Sequence, residues 1–255
     1  MNRRSLLSWL GVSAAGSLAG LPAVNEFQSI QARVLALESF RVSHVDQMPR
    51  LHSYLGGSFL SFFSQIHQGP KMFLEAIVAP HTPQALFLAA FAGFDEMIEA
   101  RRKLAAHPGI QRARADLECG EGPVVESVES QILITTHDSL RLRMRPTPRD
   151  TSVFELRSYR APAWRDRPPA AVAAAFRRAG IHPVLNASTA AGEHLPGFTY
   201  LIPFQSLAAR EEAWAKLEMD HEWISLQRES NSKYGAEAKV TSASIYNLAP
   251  YSPLS

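Results

Sequence analysis

The chain has 255 residues, of which 46% are hydrophobic and 20% are charged, a composition that is typical of folded globular proteins and argues against an intrinsically disordered chain. Lys and Arg number 26 and Asp and Glu number 24, so Arg3 and Arg4 account for the whole positive excess, and the charge gives no indication of a nucleic-acid-binding protein. A single cysteine, Cys119, excludes an intrachain disulfide and a cysteine-based zinc site.

Residues 1–27 have the pattern of an export signal. Two adjacent arginines are followed by an apolar stretch rich in Ala, Gly and Ser that carries no charge before Glu26. The pair Arg3-Arg4 with the following Ser5 and Leu6 resembles a bacterial twin-arginine signal, although an ordinary secretory signal and an uncleaved anchor are alternatives. We therefore expect a periplasmic or secreted bacterial protein that meets the membrane only through this segment.

Residues 31–136 form the first of two similar repeats. Hydrophobic periodicity and turn residues predict the order strand, helix, strand, strand, helix, strand. The predicted elements are a strand at 33–41, a helix at 45–63, strands at 71–79 and 85–92, a helix at 94–106 and a strand at 125–135.

An Arg- and Pro-rich linker, residues 137–150, leads to the second repeat, residues 151–249. The second repeat has the same predicted order: a strand at 152–160, a helix at 169–180, strands at 183–190 and 197–204, a helix at 206–218 and a strand at 239–248. Ser206 is the predicted N-cap of the second helix, and Leu207, Trp214 and Leu217 form a stripe along it that predicts core packing.

The two repeats align in register. The segment VLALESFRV at 34–42 lies over VFELRSYRA at 153–161, and residues 85–110 lie over 198–223 without a gap. The shared order βαββαβ predicts an α+β fold of two ferredoxin-like repeats. Each sheet is covered by helices on one face only, so we expect the two sheets to pack into a closed intramolecular barrel, a pseudo-dimer within a monomer.

The second repeat resembles the NIPSNAP family. The resemblance rests on FELRSYR in the first strand, on GFTYLIPFQSLAAREEAWAKL and on the DHEW that follows it, and it covers about residues 151–249. It implies the dimeric α/β-barrel fold class, which is shared with small monooxygenases and haem-degrading enzymes. It implies no particular reaction.

Glu155, Arg157 and Tyr159 are the candidate ligand-binding residues, because they lie two apart on one face of a strand. We expect this face to line the barrel interior, with the helices covering the face of Phe154 and Leu156. One interpretation is a structural ion pair beside a core tyrosine. The other is a pocket floor, in which Arg157 holds a carboxylate or carbonyl, Glu155 orients it or acts as a base, and Tyr159 donates a hydrogen bond.

The first repeat carries Ala36, Glu38 and Phe40 at these positions, which predicts one asymmetric site rather than two. The sequence contains no dinucleotide-binding, phosphate-loop or nucleophile-elbow motif and no metal-ligand spacing, so it predicts no cofactor and no metal. It also leaves the catalytic residues, if there are any, unspecified.

These observations favour a non-catalytic binding or interaction protein. The expected ligand is a small hydrophobic or carboxylate-bearing molecule held inside the barrel, and nucleic acid is not an expected partner. The alternative is a cofactor-independent monooxygenase or isomerase. Haem binding through a histidine is allowed by the fold class but has no marked ligand.

Overall fold

The structure, a computed structural model, describes residues 33–119, 122–135, 153–160, 169–193, 195–234 and 239–253. The export signal and the linker predicted from the sequence lie outside these residues. The strands are β1 Val34–Arg41, β2 Lys71–Val78, β3 Gln84–Phe91, β4 Ser127–Thr135, β5 Val153–Arg160, β6 Leu185–Ala191, β7 Gly197–Phe204 and β8 Lys239–Leu248. The helices are α1 Met48–Ser53, α2 Leu60–Ile66, α3 Phe94–Ala106, α4 Pro108–Glu118, α5 Pro169–Ala179, α6 Leu207–Met219 and α7 His221–Tyr234.

The eight strands form one closed antiparallel barrel in the order β1-β3-β2-β8-β5-β7-β6-β4. The β1–β3 and β5–β7 pairings match residue for residue, whereas the β5–β8 pairing has a register shift at Ser158/Tyr159 that the β1–β4 pairing lacks. Val34 pairs with Phe91 in the first repeat, and at the same place in the second repeat Val153 pairs with Phe204. The expected fold, two ferredoxin-like repeats closed into an intramolecular barrel, is therefore confirmed.

Two seams join the repeats. In the first seam β2 pairs with β8, with Leu74 opposite Leu248, and in the second seam β4 pairs with β6, with Ile134 opposite Ser188. Both seams contain an irregularity in register. Pairing of the outer strands removes the exposed sheet edges that each repeat would have alone.

The apolar side chains form three layers. The innermost layer fills the barrel and draws on all eight strands, with Leu35, Met72 and Phe154 among its fully buried members. An outer layer lies between each half of the barrel and the helices of that repeat, centred on Phe59 and Phe87 in the first and on Phe198 in the second. An eight-stranded barrel has an interior that side chains can fill, so this layer acts as a core.

The chain between α1 and α2 is π-helical, over Tyr54–Phe59, where the sequence predicted one plain helix at 45–63. Residues that follow β8 pack against this segment: the ring of Tyr251 lies directly over Gly56. The same tail is tied to β2, because Ala249 N donates to Phe73 O at 2.9 Å and Phe73 N donates to Ser252 Oγ at 3.0 Å. The residues that follow β8 thus pack against the first repeat.

Candidate functional site

Glu155, Arg157 and Tyr159 point away from the barrel interior and toward the helices. Phe154 and Leu156 belong instead to the apolar layer inside the barrel, while Tyr159 packs in the layer beneath the helices of the second repeat. The predicted orientation of this strand was therefore wrong. The side chains do alternate between the two faces as predicted, but the face of Phe154 and Leu156 lines the barrel interior and the face of Glu155 meets the helices.

The physical reason lies in α6. The barrel interior beside this strand is mainly apolar, and a buried carboxylate there would need a charged partner. On the opposite face, Arg210 and Trp214 stand one turn apart on α6 and both reach Glu155. A buried carboxylate is stable only on a face where hydrogen-bond donors reach it, and for Glu155 that is the face toward α6.

Glu155 is completely buried and is held by three donors from two side chains. Arg210 donates Nη2–H to Oε1 at 2.9 Å and Nε–H to Oε2 at 3.1 Å, a bidentate arrangement. Trp214 donates Nε1–H to Oε2 at 2.7 Å. Burial opposes the charge of Arg210, but the hydrogen bonds to Glu155 and the negative charges of Glu155 and Glu211 outweigh it and raise the pKa of that guanidinium.

Arg157 lies at the edge of this arrangement. Its Nη1 is 3.4 Å from Oε1 of Glu155, and its guanidinium carbon lies 4.0 Å from the centre of the Trp214 ring. The side chain is 20% exposed. Its Nε is buried, and no acceptor lies within hydrogen-bond distance of it in the described part of the chain. Among the described residues, stacking on Trp214 and the long contact to Glu155 therefore hold Arg157, and its Nε–H has no acceptor there.

Tyr159 packs as an aromatic core residue. Its ring stacks on Phe198, with centroids 4.7 Å apart and planes 7° apart, and meets Tyr200 edge-on at 6.1 Å. The guanidinium of Arg157 lies 5.7 Å from the Tyr159 ring. Tyr159 therefore forms one apolar wall beside Arg157.

The first repeat has a different arrangement at the same place. Glu38, which corresponds to Arg157, accepts a hydrogen bond from Arg101 Nη2 at 2.9 Å. Ala36 and Met97, which correspond to Glu155 and Arg210, are both buried among apolar side chains. Of these corresponding positions in the described residues, only those of the second repeat combine a buried carboxylate with two arginines.

Arg210 and Trp214 were not predicted as site residues. Trp214 was placed in an apolar stripe with Leu207 and Leu217, yet Leu207 is 49% exposed and the Trp214 indole bonds to Glu155. The spacing of Arg210 and Trp214, four residues apart on one helix face, is the signal that could have joined them to a carboxylate on the facing strand.

An open groove of about 390 Å³ lies between α5 and α7. Its lining residues are Ala171, His221, Glu222, Ser225, Leu226 and Glu229, none of which belongs to the predicted site. In the described ranges, no three His, Cys, Asp or Glu side chains are placed to share a metal ion, and no helix combines the length and apolarity that a bilayer span requires.

The sequence comparison finds a family match within the second repeat. Residues 150–253 match the NIPSNAP family model. The NIPSNAP match covers the repeat that contains Glu155, Arg157, Arg210 and Trp214, and it confirms the resemblance seen in the sequence. The comparison with curated proteins gives no significant match.

Two solved structures share the fold over most of this chain. A Fusobacterium nucleatum protein with a provisional monooxygenase assignment is 10% identical, covers 86% of this chain and 93% of its own, and has a TM-score of 0.52. An anthrone oxidase-like protein is 8% identical, covers 87% and 93%, and has a TM-score of 0.50. A NIPSNAP family protein from Agrobacterium tumefaciens is 19% identical over 41% of this chain and 93% of its own, with a TM-score of 0.35.

Proposed function

We propose that this protein is an exported, non-catalytic binding protein that holds a small carboxylate-bearing molecule at Arg157, between β5 and α6 of the NIPSNAP repeat. The observation that carries the proposal is the guanidinium of Arg157: it is mostly buried and stacked on Trp214, but most of its hydrogen-bond donors have no partner among the described residues.

The neighbouring groups support an anionic ligand. The carboxylate of Glu155 is occupied by Arg210 and Trp214, so its long contact to Arg157 leaves that guanidinium able to take a second acceptor. Guanidinium groups favour planar, bidentate contacts with carboxylates. Stacking on the indole limits the conformational freedom of the arginine, which lowers the entropic penalty of binding.

The surrounding rings support a ligand with an apolar body. Trp214 lies on one side of the Arg157 guanidinium and Tyr159 on another, and Phe198 continues the aromatic surface behind Tyr159. A carboxylate attached to a small ring would meet the cation and the aromatic surface together. Benzoate is the simplest probe with these two parts.

The test uses benzoate titrated into the full chain by calorimetry. We expect Arg157→Leu to weaken benzoate binding tenfold or more, because a hydrogen bond to a charged group contributes about 1.5–3 kcal/mol. Arg101→Leu is the matched control, since it removes an arginine that bonds to Glu38 beneath the helices of the first repeat. Binding should survive in the control. If Arg157→Leu unfolds the protein or binds benzoate as the wild type does, the ion pair is structural and the site is excluded.

A cofactor-independent monooxygenase or isomerase is the second candidate. The fold-level likeness to a protein with a provisional monooxygenase assignment and to an anthrone oxidase-like protein supports it. The saturation of Glu155 by donors weighs against its use as a base. Oxidation of anthrone to anthraquinone, which consumes one O₂ and releases water, is the direct assay. Turnover by the full chain above the spontaneous rate would favour the enzyme.

Export is supported by the sequence of residues 1–27. In a bacterium with a twin-arginine translocase, the wild-type chain should appear in the periplasmic fraction. Replacing Arg3 and Arg4 by Lys should leave it in the cytoplasm. Periplasmic recovery of the double variant at the wild-type level would contradict the twin-arginine route.

A further inference from the structure

Lys71 is a buried lysine at the start of β2, in the first repeat and therefore outside the site at Arg157. The residue is 8% exposed, whereas the side chains of Lys103 and Lys216 are each 54% exposed and paired with glutamates of their own helices. Lysine is seldom buried without a carboxylate, because the ammonium loses hydration energy that a partner must replace. Lys71 thus differs from both of these surface lysines.

The ammonium of Lys71 has no such partner in the described part of the chain. Burial lowers its pKa from the ordinary value of 10.5, and neither a hydrogen bond nor a neighbouring carboxylate opposes that effect. The carboxylates nearby in the fold are engaged elsewhere. Glu75, on the same strand, lies 3.2 Å from Nε2 of His52. Glu96 accepts from Ala92 N at 2.7 Å.

The surroundings of Lys71 are apolar or already hydrogen-bonded. Strand alternation places Lys71 on the same face of β2 as Phe73, which belongs to the layer beneath the helices. Ala89 stands opposite on β3. His67 is the nearest basic group, and its Nε2 donates to Ala90 O at 2.9 Å. The neutral form of the amine is therefore favoured over the charged form.

The second repeat shows that the barrel does not need an amine at this place. Met72 in β2 and Leu185 in β6 hold equivalent positions in the strand pairings, so the residues before them, Lys71 and Val184, correspond. Val184 packs against the apolar layer inside the barrel. A lysine has replaced an apolar side chain in one half of a closed barrel, at a cost in desolvation that the fold does not require.

The amine remains within reach of solvent. Its Nζ is not one of the polar atoms that the described residues enclose without a partner, so the exposed part of the residue includes the nitrogen. A small molecule can therefore approach Nζ from outside, and the filled barrel need not open. A buried, neutral lysine that a small molecule can reach has the properties of a nucleophilic amine.

We propose that Lys71 is a site of covalent modification by small uncharged aldehydes, with which its amine forms an imine. The lone pair of Nζ attacks the carbonyl carbon, and the resulting carbinolamine loses one water molecule as a C=N bond replaces the C=O bond. The step consumes no oxidant and no reductant. Its product holds a neutral group where the free lysine holds an ammonium, so modification removes the cost of a buried charge.

The test treats the full chain with acetaldehyde and cyanoborohydride, which reduces the imine to a stable ethylamine, and follows each lysine by peptide mass spectrometry. Lys103 is the matched control, since it is exposed and lies 3.6 Å from Glu99. The neutral amine is the reactive form. We therefore expect the labelling rate of Lys71 relative to Lys103 to rise severalfold as the pH is lowered from about 10 to about 7.

The other titratable groups that face this region do not change charge in that range. Burial lowers the pKa of His67, so its ring stays neutral above pH 7. Burial and the charge of Glu75 raise the pKa of Tyr251, whose ring packs on Phe73, so the phenol stays neutral as well. A change in the labelling ratio between these pH values therefore reports Lys71 itself.

The chain unfolded in urea provides the second control. Unfolding removes the burial of Lys71, so the ratio of the two rates should there be independent of pH. The proposal is overturned if Lys71 stays unlabelled while Lys103 reacts, or if the ratio in the folded protein does not depend on pH. The same pH dependence in urea would also overturn it, because burial would not be the cause. Arg157→Leu should be labelled at Lys71 as the wild type is, which separates this site from the anion site.

Discussion

At the residue scale, the burial of Glu155 is tolerated only because neighbouring side chains donate hydrogen bonds to its carboxylate. Its carboxylate is buried completely and accepts from Arg210 and Trp214. Burying one charge without a partner is strongly unfavourable, whereas a well-paired charge is close to neutral against an apolar replacement. The first repeat contains that apolar replacement, with Ala36 and Met97 in the corresponding positions.

This comparison gives a prediction for two variants. Glu155→Ala alone should lower the free energy of unfolding by roughly 3–5 kcal/mol, because it leaves Arg210 without its main carboxylate. Adding Arg210→Met, which copies the first repeat, should recover a large part of that loss. Urea unfolding of the single and double variants measures both values. A double variant less stable than Glu155→Ala would show that Arg210 contributes independently of Glu155.

The residues of the site were only partly predictable from the sequence. The two-residue alternation identified Glu155, Arg157 and Tyr159 as neighbours on one face, since strand geometry alone determines that. Which face meets the helices depends on Arg210, a partner supplied by a different element. Where both faces of a strand are buried, the polar or apolar character of its side chains cannot decide which face meets the helices.

At the element scale, Gly56 and Gly57 of the π-helical segment differ in the space that is available for a side chain. A Cβ built on Gly56 would lie 2.6 Å from Cγ of the Tyr251 ring, while a Cβ on Gly57 has no heavy atom within 4 Å. Gly56 is therefore required by packing, and Gly57 is not. The sequence could not distinguish them, because Tyr251 arrives from the far end of the chain.

We expect Gly56→Ala to destabilise the protein by about 1–3 kcal/mol, since an added methyl group would force the Tyr251 ring away. Gly57→Ala is the matched control and should be neutral or stabilising by up to about 1 kcal/mol, because alanine favours helical backbone. Chemical denaturation of both variants gives the comparison. Equal effects at the two positions would contradict the packing of Tyr251 on Gly56.

Asp220 links three elements, since it lies between α6 and α7 and reaches α5. Its Oδ2 accepts from Arg178 Nε at 2.7 Å, its Oδ1 accepts from Arg178 Nη2 at 2.9 Å, and Trp223 N donates to Oδ1 at 2.8 Å. These hydrogen bonds, those of Arg178 above all, lower the pKa of Asp220 from 3.8 to about 2.

A carboxylate whose pKa is lowered by folding stabilises the folded state fully above its unfolded pKa. That stabilisation is lost as the pH falls from about 4 to about 2. Asp220→Asn should therefore lower the melting temperature at pH 7, and the gap from the wild type should narrow between pH 4 and pH 2. Thermal unfolding across this range measures the gap. A gap that is independent of pH would show that Asp220 acts through packing or capping instead of through its charge.

At the scale of the whole molecule, the internal repeat was the most informative feature of the sequence. It predicted the order of elements in both halves, and most strand bounds agree with the structure within two residues. The closed barrel followed because a sheet with helices on one face must cover the other. The seams β2–β8 and β4–β6 join strands from different repeats, and their register follows from the three-dimensional packing and not from the repeat pattern.

Because both repeats contribute the same strand order to the barrel, we expect that the two halves can be joined in either order along the chain. The path from the end of β4 to the start of β5 corresponds, under the pseudo-twofold relation, to the path from the end of β8 to the start of β1. A circular permutant that begins at Val153, keeps residues 249–253 after β8, continues through a linker as long as residues 136–152 to Val34, and ends at Thr135 should therefore close the same barrel. Its far-ultraviolet circular dichroism should match that of the parent.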